Sequence, residues 1–196
     1  MTSYINANLN CTAEKSEDTN YCASFQSGNT TLVVSSNVPC EIQSDNMVKP
    51  ESRPWLVDTI PLSAELQEFT FNLCSKLDID YALVLGVMYV ESRFELNPAG
   101  NRKMIGVMQL NSKYVNSFCS QYGVKSANVP KDNITIGVNL LAYKIKEYGV
   151  VNGLMAYNLG DAGMRSRLEK GNLNATYARA IIEKQKEYQL LLEENN

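Results

Sequence analysis

The stretch Asp80-Tyr81-Ala82-Leu83-Val84-Leu85-Gly86-Val87-Met88-Tyr89-Val90-Glu91-Ser92-Arg93-Phe94 decides how the rest of the chain is read. Asp80 is a good helix N-cap, because its short carboxylate accepts hydrogen bonds from the open N–H groups of a first turn. The ten residues that follow, 81–90, are uncharged and almost wholly apolar. A bilayer span needs roughly 20 such residues, so this run predicts a buried helix from Tyr81 to about Arg93 and no membrane span. A helix that is apolar nearly all round needs partners on every side, which predicts a mainly α domain packed about it. Glu91 breaks the pattern at the C-terminal end of that helix. Apolar surroundings and the negative end of the helix dipole both disfavour a carboxylate there, and both raise its pKa. A carboxyl group that stays protonated near neutral pH suits protonation of a departing sugar oxygen. The plainer alternative is a Glu emerging into solvent, paired with Arg93 or Arg102.

Outward from this helix the pattern stays helical. Leu66, Phe69, Leu73 and Leu77 recur at spacings of three and four behind Ser63, a good N-cap, and predict a helix with one buried face. Tyr114, Val115, Phe118 and Tyr122 predict a shorter helix stopped by Gly123. Ile134, Val138, Leu141, Ile145 and Tyr148 predict a long one ended by Gly149. Val151, Leu154, Met155 and Tyr157 belong to a further helix, and Tyr177, Ile181, Ile182, Tyr188 and Leu191 line the last. No period-two run stands out after residue 60, and loops are expected at 95–110 and 124–133. Residues 1–50 differ, with 19 Asn, Ser or Thr and only seven charged side chains, which predicts loop or short strand. Residues 21–26 and 30–35 flank Ser27-Gly28-Asn29 as an expected hairpin. Pro50, Pro54 and Pro61 punctuate a linker in which Trp55 is a candidate anchor. The division expected is a polar N-terminal segment with linker, 1–57, and a helical domain, 58–196.

Composition narrows the chemistry. The 196 residues carry a net charge of −3 and no Lys/Arg-rich run, which argues against a nucleic-acid partner. Zero histidines exclude Ser-His-Asp and Cys-His nucleophiles, HExxH zinc sites and imidazole proton shuttles. Nucleotide-binding glycine loops are absent, and neither a metal nor a cofactor is called for. Of five cysteines, Cys74 and Cys119 read as core thiols, while Cys11, Cys22 and Cys40 lie in the polar segment, where an oxidising setting would allow a Cys22–Cys40 bridge. The opening MTSYINANLN has neither a basic nor an apolar stretch, so no secretory signal is visible.

Three blocks then occur in order: Glu91-Ser92-Arg93-Phe94, Gly106-Val107-Met108-Gln109-Leu110-Asn111 and Ala156-Tyr157-Asn158-Leu159-Gly160. Asn133-Ile134 with Gly137 between them matches an N-I-x-x-G segment, and Tyr177 follows near the end. Together they resemble the catalytic domain of the soluble-type lytic transglycosylases, a lysozyme-like family that cleaves peptidoglycan, over about residues 62 to 185. The wording Leu154-Met155-Ala156-Tyr157-Asn158 is similar to forms common in Gram-positive bacteria and their prophages. The resemblance implies a lysozyme-like helical fold with Glu91 as single catalytic acid/base. It also implies Ser92 hydrogen-bonded near Glu91, Gln109 reaching the sugar through its amide, Tyr157 and Asn158 lining the cleft, and the Tyr177 hydroxyl close to Glu91.

The implied reaction breaks the bond from N-acetylmuramic acid to N-acetylglucosamine and leaves a 1,6-anhydro sugar. The implied partner is the peptidoglycan glycan strand, met at the bacterial cell wall by secretion or by delivery from a phage or mobile element. Two departures fall in the loop: the usual Ser of the family's A-x-S turn is missing, and Val107 stands for the usual Leu. The rivals are a lysozyme-type hydrolase, whose second carboxylate would be Glu95 or Asp161, and a glycan-binding or structural module without turnover. Glu95 reads as a solvent-exposed loop residue and Asp161 as an N-cap.

Overall fold

The computed structural model describes residues 11–15, 21–27, 30–36, 53–98, 103–171 and 175–194. The chain divides into two compact units, Met1–Lys49 and Pro50–Asn196. In the first, β1 (Cys11–Lys15), β2 (Tyr21–Ser27) and β3 (Thr30–Ser36) form an antiparallel sheet in the order β1-β2-β3. The β2–β3 pair is the expected hairpin, in a register that sets Ala23 opposite Val34. Strand β1, whose Glu14 pairs with Cys22, is an addition that the five residues Cys-Thr-Ala-Glu-Lys do not announce by alternation. The Cys22–Cys40 bridge involves residue 40, which lies outside the described residues.

The second unit holds six helices among its described residues: α1 (Ala64–Leu77), α2 (Tyr81–Ser92), α3 (Val115–Tyr122), α4 (Pro130–Tyr148), α5 (Val150–Glu169) and α6 (Thr176–Glu194). The mainly α expectation holds, and so do the helix ends. Ser63 and Asp80 cap α1 and α2 by accepting from Leu66 and Leu83 N–H at 3.3 and 2.6 Å. Gly123 and Gly149 close α3 and α4. None of the helices described is long and apolar enough to cross a membrane.

Every residue of α2 from Tyr81 to Met88 is buried, as an all-apolar helix requires. Gly86 permits the close approach of α6, since a β-carbon there would stand 2.8 Å from the Ile181 carbonyl oxygen. The two helices run side by side with opposite sense, so Glu91 meets Tyr177 near the start of α6 while Asp80 meets Gln189 near its end.

Three details differ from the pattern read in the sequence. The face that α1 buries is Leu66, Gln67, Thr70 and Cys74, with Phe69, Leu73 and Leu77 only partly covered. The two polar residues can lie inside because both are bonded: the Thr70 hydroxyl donates to Leu66 O at 2.6 Å, and the Gln67 amide clamps the preceding segment. Cys119 is only half-buried, unlike Cys74. The expected 95–110 loop contains a two-residue ladder, β4 (Met104–Ile105) with β5 (Leu110–Asn111), too short to leave a period-two signal.

The helical unit reaches back past residue 58. Val57 is buried, its N–H donates to Gln67 Oε1 at 2.8 Å, and Gln67 Nε2 donates to the Val57 and Leu62 carbonyls at 3.2 and 2.8 Å. Trp55 packs on the core, and its carbonyl accepts from the Tyr81 hydroxyl at 3.1 Å. A chain starting at Pro50 is therefore expected to keep a cooperative urea transition, and one starting at Asp58 to be less stable by about 3–5 kcal/mol. Burial of a Val side chain contributes about 1.5–3 kcal/mol of that, and a buried amide losing partners about 1–3 kcal/mol. Equal urea midpoints for the two truncations would contradict the clamp.

Candidate active site

Glu91 occupies the last turn of α2, and its position follows from how that helix ends. Arg93 and Phe94 both adopt left-handed backbone, with φ of 55° and 65°, and the Arg93 and Phe94 N–H groups close on Tyr89 O and Met88 O at 3.0 and 3.4 Å. The reversal drives Phe94 into the core, edge-on to Tyr188 at 5.9 Å between ring centres. Arg93 stays outside with its guanidinium 4.1 Å over the Tyr89 ring. Glu91 is thus not paired with Arg93. Its carboxylate instead accepts from the Tyr177 hydroxyl at 2.5 Å.

Burial holds the Glu91 carboxyl above its ordinary pKa, and the Tyr177 hydrogen bond, which favours the ionised form, pulls part of the way back. Tyr177 is pushed far above the phenol range, first by burial and then by the neighbouring Glu91 charge. Tyr157 is raised by the same two causes in the same order. Both phenols feel the Glu91 charge, and the structure brings the three groups to one place.

Ser92 is bonded to main-chain carbonyls and not to the carboxyl group. Its hydroxyl shares its one proton between Val107 O at 2.8 Å and Met88 O at 3.1 Å, so it ties the end of α2 to the turn at residues 106–109. That turn is closed by Gln109 N–H on Gly106 O at 3.0 Å. The Gln109 side chain folds back on the same carbonyl at 2.9 Å and does not extend outward. Tyr157 is half-buried on α5 with its hydroxyl donating to Met108 O at 2.8 Å. Asn158 beside it is exposed. The span α5 is two helices joined at a kink at Gly160, whose φ of 73° and ψ of 164° are non-helical; Asp161 stands at the start of the second, next to that glycine, and its carboxylate is held by Lys144 at 2.6 and 2.7 Å. Glu95 is exposed in the loop after α2.

Two contributors escape sequence reasoning in this role. The backbone carbonyl of Met108 is one, and a carbonyl leaves no trace in residue identity. Asn133 is the other: it is buried on α4 and bonded to the 106–109 turn, and its only sequence signal is the Asn133-Ile134…Gly137 segment itself. Gly137 fits that signal, because a β-carbon there would stand 2.6 Å from Met108 Cβ.

A hollow of about 1060 Å³ opens at the other end of α2, lined by Asp80, Leu83, Phe118, Tyr122 and Tyr143 among others. It contains none of Glu91, Tyr157 and Tyr177, and at 1.5 Å per residue the length of α2 puts it about 16 Å from the carboxyl group. A half-buried carboxyl group and two phenols converge instead at Glu91.

Compared with known protein families, residues 70–179, more than half of the chain, match the transglycosylase SLT domain. No protein of curated function matches significantly. Among solved structures, the fold is similar to that of an inactive mutant of the lytic transglycosylase Slt from Pseudomonas aeruginosa, with TM-score 0.59 and 17% identity. That similarity takes in 68% of this chain but only 25% of the Slt chain, and at this identity it is a likeness of fold.

Proposed function

The chain belongs to the transglycosylase SLT domain family, and on that premise we propose that it is a peptidoglycan lytic transglycosylase in which Glu91 is the single acid and base. In this reading Glu91 first donates its proton to the oxygen leaving C1 of N-acetylmuramic acid. The 2-acetamido carbonyl of the same sugar supports the oxocarbenium-like centre. The Glu91 carboxylate then takes the proton of the C6 hydroxyl as its oxygen bonds to C1. One C–O bond breaks, one forms, the proton returns to Glu91, and no water is consumed. The product ends in 1,6-anhydro-N-acetylmuramic acid.

The observation that carries this reading is the environment of one carboxyl group. Glu91 is half-buried at the negative end of α2, with its pKa raised and the Tyr177 hydroxyl 2.5 Å away. Such a group is protonated often enough to act as an acid, and once ionised it is held by a phenol donor and can act as a base. A hydrolase of the two-carboxylate kind needs a partner about 5–10 Å off. The two candidates for that role are otherwise placed, Glu95 exposed and Asp161 paired with Lys144. Tyr157 and the exposed Asn158 supply a flat face and an amide that suit N-acetylated sugars. The substrate sets the place of action at the bacterial cell wall.

Mass analysis of purified peptidoglycan digested by the protein tests the reading. Fragments with anhydro ends, lighter by one water than reducing ends, are the expected product. Reducing ends alone would make it a hydrolase, and intact wall that nonetheless retains the protein would make it a binding module.

A further inference from the structure

The turn at residues 106–109 has its main chain bonded from three different helices. Val107 O accepts from Ser92 of α2 at 2.8 Å, and Met108 O accepts from Tyr157 of α5 at 2.8 Å. Met108 N–H donates to Asn133 Oδ1 of α4 at 2.9 Å. The other end of that amide, Asn133 Nδ2, donates to Ile105 O at 2.8 Å and to Ala127 O at 3.0 Å. Both donors of the side chain are in use, and turning the amide over would set donor against donor and acceptor against acceptors, so its orientation is fixed. Asn133 is 1% exposed.

The consequence lies at Tyr157. A phenol has one proton to donate. Given to Met108 O, it is not available to Glu91, although the two groups are near enough that the Glu91 charge helps to raise the Tyr157 pKa. Glu91 therefore receives one phenol hydrogen bond, from Tyr177. A second would favour the carboxylate and make the group a poorer proton donor.

We propose that Asn133 is a positioning residue for the acid: it fixes Met108 where its carbonyl takes the Tyr157 proton, so that Glu91 keeps a single phenol donor. The proposal rests on the reading of Glu91 as acid and base, and its test is read on the protein without substrate. Carboxyl ¹³C NMR gives the titration midpoint of Glu91, assigned by the signal lost in Glu91→Gln. Asn133→Ala is expected to lower that midpoint by about one pH unit, as the freed hydroxyl turns to the carboxylate. Adding Tyr157→Phe to Asn133→Ala is expected to bring the midpoint back to the wild-type value or above. A second truncation cannot repair general loosening of the turn, so this return separates positioning from damage.

An unchanged midpoint in Asn133→Ala, or one that stays low in the double variant, overturns the proposal. If Asn133→Ala does not fold, Tyr157→Phe alone decides. A hydroxyl committed to Met108 leaves the Glu91 midpoint in place when it is removed, whereas a rise of about one pH unit means that Tyr157 already serves Glu91 and overturns the proposal. Turnover of peptidoglycan by the wild type is measured in parallel. Its absence strikes at the functional reading and leaves the titration result standing, while in an active enzyme the alkaline limb of kcat/KM moves with the Glu91 midpoint.

Discussion

Glu91→Gln is expected to reduce cleavage of peptidoglycan by at least the upper end of the roughly 10²–10⁴-fold that loss of a general acid or base costs, because one group performs both proton transfers. Gln nearly matches Glu in shape, and its amide oxygen can still accept from the Tyr177 hydroxyl, so fold and glycan binding are expected to survive. Stability should rise, with a pH dependence fixed by the direction of the pKa shift. Burial raises the Glu91 pKa in the folded protein above its value in the unfolded chain. Below about pH 3.5 both states hold the proton, and the substitution should leave Tm nearly unchanged. As the pH climbs through the ordinary carboxyl range, the unfolded chain releases the proton while the folded protein retains it. The wild type then loses stability that the variant keeps. Thermal unfolding at pH 3.5 and pH 7 checks this. A gain that is the same at both, or that appears only in acid, would mean that the carboxyl group is not desolvated. Wild-type lysis by Glu91→Gln would remove Glu91 from the mechanism altogether.

What the sequence makes legible here is what short-range chemistry determines. Asp80 caps α2 because a short carboxylate can reach the N–H of Leu83, and nothing distant has to be known to see it. Gly123 and Gly149 end their helices for equally local reasons. Glu91 is conspicuous because an acid after ten uncharged residues has few structural excuses. The burial of Gln67 and Thr70 is illegible by the same logic. Gln67 is inside because it bonds Val57, ten residues away in the chain, and that pairing exists only once α1 has docked. Ser92 and Gln109 illustrate a subtler limit. The resemblance implies Ser92 hydrogen-bonded near Glu91 and Gln109 reaching the sugar, but Ser92 binds the Val107 carbonyl and Gln109 binds Gly106. Residue type tells that a hydroxyl or amide will find a partner; it does not tell which main-chain carbonyl will be offered. Asn133 is the extreme case, since three main-chain partners, from Ile105, Met108 and Ala127, meet at one side chain.

That convergence makes Gly106→Ala the substitution with the largest expected effect on stability. Gly106 has φ of +71°, where an L side chain costs about 1–2 kcal/mol. Strain is the smaller part. A β-carbon would stand 2.2 Å from Asn133 Nδ2 and 2.4 Å from Asn133 Cγ, so one of the two must move. Asn133 is held on three sides and buried, and moving it leaves Met108 N–H, Ile105 O and Ala127 O without their partner, at about 1–3 kcal/mol for each group that stays buried. Strain and lost bonds together predict about 4–6 kcal/mol, near the top of what single substitutions do. Gly123→Ala is the matching control. Its φ of +66° imposes the same strain, but a β-carbon there meets nothing within 4 Å, so about 1–2 kcal/mol is expected. Urea midpoints of the two variants isolate the contribution of the clamp, because their backbone terms cancel. Equal losses would mean that Asn133 yields to the added methyl and that the turn is softer than its bonding implies. A large excess at Gly106, with turnover falling further than the folded fraction, would mean that Val107 and Met108 no longer present their carbonyls to Ser92 and Tyr157, so that packing around one glycine governs the surroundings of the acid.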